Sequence, residues 1–256
     1  MSWKKAWRQV VPKEHGSWFF VLEPLLLCIP LRTSREGLLL ALAAVLAFLV
    51  RRPLAAGWGV GAGEAGQVAF ARRLACLLLG LAGCVSVPVL IGLPAASFIV
   101  LGGMLLLALV SAVYELLGVR RSLPGELAGV LVFGLLPALL LTVSGAGVGL
   151  AWRGTLVLLL RSLPSFLSLR AYLRLRKQGD VALKTVLAAP VLALPFAFAT
   201  WSLGWVPMAS VVFSMLFLVR SLVLVKWGRK VAATKLGIME AVLGVSHSLC
   251  LAWALS

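Results

Sequence analysis

Residues 96–118 read ASFIVLGGMLLLALVSAVYELLG, a run whose one charged side chain, Glu115, comes near its end. A hydrocarbon core about 30 Å thick needs roughly 20 predominantly apolar residues for one helix to cross it. The stretch meets that length and has no polar face to turn toward water. It reads as a transmembrane helix.

Outward from it the pattern repeats. Apolar runs at 17–31, 37–50, 74–92, 125–143, 154–174, 181–203, 206–225 and 236–254 bring the expected spans to nine in one integral membrane domain over 1–256. The first two runs are short and read as tilted or extended by snorkelling arginines. Pro24, Pro88, Pro137, Pro164, Pro190 and Pro195 are expected to kink helices, which a bundle tolerates where neighbours re-satisfy the backbone. Composition agrees, with 62% hydrophobic and only 12% charged residues, against about 25% charged in an ordinary soluble domain. A soluble globule, a disordered chain and a disulfide-stapled secreted scaffold are excluded. The first apolar run is interrupted by Glu23-Pro24 and lacks a small-residue cleavage pattern, so it is not read as a cleavable signal.

The net charge of +16 would suggest nucleic acid in a soluble chain, but here topology accounts for it and no nucleic-acid partner is expected. With the N-terminus inside, 20 of the 24 Lys and Arg residues fall in inner segments and three (Arg32, Arg35, Arg153) in outer ones. Arg161 is the remaining one, set deep in the span 154–174. Basic residues collect on the cytoplasmic side, so nine spans give N-in and C-out. The longest inner segments, 51–73 and 175–180, read as loops that could fold over a cavity. No internal repeat stands out, which weakens a reading as a transporter built from inverted repeats.

Ionisable groups at membrane depth are costly, and each needs a partner or a purpose. Lys13, Glu14 and His15 stand at the mouth of the first span, with Glu23 two turns deeper on the face of His15 and Phe19. The cluster from Pro12 to Trp18 is read either as an interfacial anchor or as a polar lid over a cytoplasm-facing cavity, where Lys13 and His15 could meet an anion, and Glu23 is not expected to face lipid. Glu240, Gly244 and His247 share one face of the last span at i, i+4 and i+7, as a buried helix–helix hydrogen bond or as a ligand site or proton relay. Glu115, Arg120, Arg121 and Glu126 surround the fourth-to-fifth turn, and structural pairing of the acids with the arginines is the plain reading. Glu126 also sits at a helix N-terminus, where the macrodipole favours a carboxylate. Arg161 requires an acid, and Glu23 is the candidate.

Metal and haem sites fail on counting. His15 and His247 differ in depth by about two turns or more, so they do not pair as axial haem ligands. Two histidines and scattered single cysteines do not assemble a zinc site. Cys28, Cys76, Cys84 and Cys250 lie singly in apolar runs and read as small packing residues. No cofactor is expected.

The stretch Pro12-Lys13-Glu14-His15-Gly16-Ser17-Trp18 resembles the P-[KR]-E-H-G-x-W signature of the YwiC-like family of bacterial integral membrane proteins. Fainter echoes are Arg51-Arg52-Pro53-Leu54, the run from Arg120 to Leu127, and the run from Lys235 to Glu240. The family's nine-helix layout is similar to that of the UbiA superfamily of intramembrane prenyltransferases, which implies an all-α, UbiA-like bundle in a bacterial inner membrane. Such enzymes hold Mg²⁺ and a prenyl diphosphate with Asp-rich motifs after helices two and six. Here those places offer one acid each, Glu64 and Asp180, fewer than a Mg²⁺–phosphate bridge wants. The basic side chains still suit a phosphate directly.

The expectation is a protein that binds an isoprenoid, a quinone or an anionic lipid in a cytoplasm-facing intramembrane cavity. Lys13, Glu14, His15, Glu23, Arg120, Arg121, Glu126, Glu240 and His247 would rim and line it. If the protein is an enzyme, it would be a UbiA-like transferase of a lipid or isoprenoid group. The alternatives are a non-enzymatic subunit or assembly factor with a protein partner in the membrane, and a small-molecule transporter.

Overall fold

The structure is a computed structural model that describes residues 17–59, 65–119, 122–178, 183–227 and 233–256. Those residues form nine α-helices and no strand. In chain order they are α1 (Ser17–Leu31), α2 (Arg35–Trp58), α3 (Ala65–Ile91), α4 (Ala95–Leu116) and α5 (Leu123–Val143). Then come α6 (Val148–Gln178), α7 (Leu183–Ser202), α8 (Met208–Trp227) and α9 (Ala233–Leu255). Eight of the nine are long and apolar enough to cross a membrane, and α1 is the shorter one. Its 15 residues cover about 22 Å at 1.5 Å per residue. Helices are forced here because hydrocarbon offers backbone N–H and C=O groups no partner outside the segment itself.

The turns at one end are tight, at 32–34, 92–94, 144–147 and 203–207. Ser34 caps α2, its hydroxyl accepting from the Gly37 N–H at 3.0 Å, while its own N–H donates to Ser144 Oγ at 3.3 Å. Gly37 lies flush against Ser144, so a Cβ there would collide with that hydroxyl. These contacts lock the α1–α2 turn against the α5–α6 turn.

Two helices form the hub. α1 packs against α2, α5, α6 and α9, and α6 packs against α1, α5, α7, α8 and α9. The bundle core runs between them through Leu27, Leu136, Leu141, Leu158 and Leu251. α3 and α4 are peripheral, with 11% of each apolar window buried against 50% for α5 and α6. Their outer faces carry Leu77, Leu81, Ile99, Leu105 and Leu109, exposed to what would be lipid.

Three sequence expectations need correction. The stretch 51–73 is not a long loop: α2 continues through Arg51, Arg52 and Pro53 to Trp58, and α3 begins at Ala65. Arg72 holds the two helix ends together, donating from Nε to the Gly57 carbonyl at 2.8 Å with its guanidinium 5.4 Å from the Trp58 ring centroid. The basic ends are thus helical, and the second span is long rather than short. Likewise α6 runs to Gln178, through most of the stretch read as a loop at 175–180. Of the cysteines only Cys28 packs inside; Cys76, Cys84 and Cys250 are exposed on outer helix faces, where an apolar thiol suits lipid as well as a core.

Candidate functional site

Helical spacing gathers polar side chains onto the inner faces of four helices. On α6 the buried polar side chains are Thr155, Arg161, Ser162, Ser165 and Ser168, spread over about four turns of one side of the helix. On α8 they are Ser210, Ser214, Arg220 and Ser221, and on α9 Glu240, His247 and Ser248. α1 contributes Glu23. The faces converge at an alternating row of charges.

Arg161 Nη1 donates to Glu23 Oε2. Its Nη2 donates to the Glu240 carbonyl at 3.0 Å and lies 3.9 Å from Glu240 Oε2. Arg220 Nη2 donates to Glu240 Oε1 and to Ser165 Oγ at 2.8 Å. Ser165 in turn donates to Glu240 Oε2 at 2.5 Å. Arg220 Nη1 reaches Ser168 Oγ at 3.4 Å and Ser221 Oγ at 3.3 Å. The Glu240 carboxylate therefore sits in a cup made by two guanidiniums and a hydroxyl, and Arg220 continues into a serine lining. Two acids and two bases balance, as burial of charge requires.

Gly244 makes the close approach possible. A Cβ there would run into Glu23 Oε1 and stand 2.7 Å from Arg161 Nη2. Beyond it, His247 meets the Phe213 ring edge-on at 5.1 Å and 89°, and Arg161 stacks 5.4 Å from the Phe217 centroid. Among the described residues, Arg161 Nε, Arg220 Nε, His247 Nδ1, Ser162 Oγ and Ser248 Oγ are buried without a hydrogen-bond partner. The cluster has hydrogen-bonding capacity to spare. An unmet buried donor costs about 1–3 kcal/mol.

The structure thus joins three of the expected site residues. Glu23 pairs with Arg161 as anticipated, Glu240 shares the same arginine, and His247 lies beside them. Glu126 is in a separate ion pair, with Arg170 of α6, and Glu115 pairs across helices with Arg51 at 2.7 Å. Lys13, Glu14, His15, Arg120 and Arg121 lie outside the described residues, as do Glu64 and Asp180. Arg220 is the residue that sequence reasoning misplaced. Charge alone counts it among the inner basic segments, yet it is buried inside α8. The serines at 210, 214 and 221 mark one α8 face as polar, but Arg220 stands about 100° around the helix from Ser221, so that spacing alone does not single it out. Among the described residues, no group of three or more His, Cys, Asp or Glu side chains is placed to hold a metal.

Among the described residues, nine helices, eight of them of spanning length and apolarity, around a buried charged cluster define a polytopic α-helical membrane protein. The family described as YwiC-like protein matches residues 11–141, just over half of the chain. The chain belongs to the YwiC-like family. The matched part holds Glu23 and Glu126, whereas Arg161, Arg220, Glu240 and His247 come after it. No curated protein and no solved structure matches the chain.

Proposed function

We propose that this protein binds the polar head of a membrane-soluble amphiphile (an isoprenoid, a quinone or an anionic lipid) at the cluster around Glu240. It does so in the bacterial cytoplasmic membrane, reached from the inner side where the chain's basic residues collect. One observation carries the reading: buried donors of Arg161 and Arg220 stand unpartnered beside four charges buried inside the helical bundle. A fastening between helices needs no spare donors, and intramembrane charge is expensive unless it serves a ligand or a pathway. The apolar surroundings suit the tail of such a ligand and the donors suit its head.

Native mass spectrometry of the gently purified protein tests this. A lipid-class mass retained by the wild type and lost from Arg220→Ala supports it. A bare chain with full occupancy by a stoichiometric protein overturns it. The latter outcome would favour a second reading, a membrane subunit or assembly factor, for which the thinly packed α3 and α4 offer the docking faces.

A further inference from the structure

We infer that Glu240 is a built-in stand-in for an anionic head: the cup formed by Arg220, Arg161 and Ser165 accepts a carboxylate or phosphate oxyanion in its place, and each anion enters with one proton. This rests on reading the cluster as a head-group site and adds to it the charge of the head and the coupling.

The cup already binds a carboxylate. Two guanidiniums and the Ser165 hydroxyl address the two oxygens of Glu240, a donor set that would hold an incoming carboxylate or phosphate equally well. Behind it, Ser168 and Ser221 lie 3.0 Å apart, oxygen to oxygen, and extend the lining along Arg220 Nη1. These hydroxyls are neutral, so they tolerate an anion without adding charge of their own.

Charge balance sets the coupling. Glu23, Arg161, Glu240 and Arg220 sum to zero. A monoanion brought in alone would leave one uncompensated negative charge in a low-dielectric interior, which is strongly disfavoured. If a proton from the aqueous phase binds the Glu240 carboxylate, that acid becomes neutral and the sum returns to zero. No bond but this O–H forms, and the anion takes the place the carboxylate leaves.

Glu240 is the acid free to do this. Its side chain is 9% exposed, against 2% for Glu23, and Glu23 is closed in by Arg161 and Gly244. The groups facing Glu240 are Arg161 and Ser165 from α6 and Arg220 from α8, with Glu23 of α1 across Arg161. On its own helix, Lys235 lies toward the inner end and His247 two turns the other way. The cluster's second carboxylate, Glu23, is bonded to Arg161 and not to Glu240.

The test uses the full chain in phosphatidylcholine nanodiscs, titrated with oleate or acetate while a pH indicator and calorimetry follow proton uptake and binding. The expected result is one proton taken up per anion bound, with affinity falling about tenfold per pH unit once Glu240 is ionised. Glu240→Gln, with a permanent surplus positive charge, should bind the same anion tightly, without proton uptake and without pH dependence. Its melting temperature should be lowered in anion-free buffer and restored by the anion. Ser165→Ala keeps all four charges and should weaken binding several-fold while retaining the single proton.

Anion binding with no proton uptake by the wild type overturns the inference, and the wild-type count decides alone if Glu240→Gln does not fold. Binding of decylubiquinone at the cluster with no oleate or acetate binding also overturns it, while leaving the amphiphile reading intact. Proton-coupled binding of acetate but of no amphiphile supports the inference and removes that reading. Binding of none removes both.

Discussion

Arg161 and Glu23 stand 138 positions apart in the chain, and the guanidinium of one donates to the carboxylate of the other inside the bundle. Their side chains are only 3% and 2% exposed. The pair fastens α1, the shortest of the described helices, to α6, which packs against five others. It also orients Arg161 so that its second nitrogen faces Glu240. The short helix is therefore part of the charged cluster and not an appendage to it.

Removing one partner of a buried pair leaves a charge without compensation, at about 3–5 kcal/mol. Glu23→Leu and Arg161→Met should each lower stability by roughly that amount. The double variant should lose less than the sum of the singles. A double-mutant cycle on thermal unfolding in detergent reads this coupling, and simple additivity would show that the two side chains do not depend on each other.

The spans were legible because hydrophobicity at this length has one interpretation, and the Glu23–Arg161 pair because each is a lone charge within an apolar run. Other features were hidden for physical reasons. Arg51-Arg52-Pro53 looks like a helix end, yet α2 passes through it because Arg51 finds Glu115 and Arg72 finds the Gly57 carbonyl. Arg220 precedes Lys226, Arg229 and Lys230 and so merges with a basic loop when only charge is counted. Its burial depends on which way the α8 helix is turned, and that is set by Ser165, Ser168 and Glu240 on other helices. One-dimensional spacing shows a face but not its partner.

Gly244 is the tightest test of that packing. An added methyl would meet Glu23 and Arg161, whereas Gly102 on α4 has nothing within 4 Å. Gly244→Ala should cost about 1–3 kcal/mol by overpacking. Gly102→Ala should be neutral or slightly stabilising, since alanine is the better helix former. Equal melting temperatures for the two variants would mean that the α1–α6–α9 contact is looser than the geometry requires.

Topology follows from the basic bias. Moving Arg220 from the inner tally to the bundle interior leaves the asymmetry almost unchanged, because the outer side still holds only Arg32, Arg35 and Arg153. Reporter fusions after Ser256 should report outside, and fusions within 60–64 or 179–182 should report inside. A cytoplasmic C-terminus would require one helix fewer across the membrane.

The scarcity of acids near the inner ends bears on catalysis. Glu64 and Asp180 are single carboxylates in the two segments where the expected likeness to UbiA-type enzymes calls for Asp clusters. Prenyl transfer abolished by EDTA is not expected, and Glu64→Ala and Asp180→Ala should leave lipid occupancy within about twofold of wild type, since binding at the cluster involves direct guanidinium contacts. Transfer activity lost with EDTA and with either substitution would reverse that conclusion.

His247 separates a fastening role from a ligand role. It is buried between Phe213 and Phe217, and its Nδ1 has no partner among the described residues. An unsatisfied buried ring nitrogen adds nothing to stability, and replacing it by an apolar group of similar shape is close to neutral. His247→Phe should therefore melt within about 1 kcal/mol of wild type. If the imidazole meets the head group beside Arg161, the same variant should lose retained lipid in native mass spectrometry. Lost lipid with unchanged melting assigns His247 to the ligand. Lowered melting with unchanged lipid assigns it to the packing of α9 against α8.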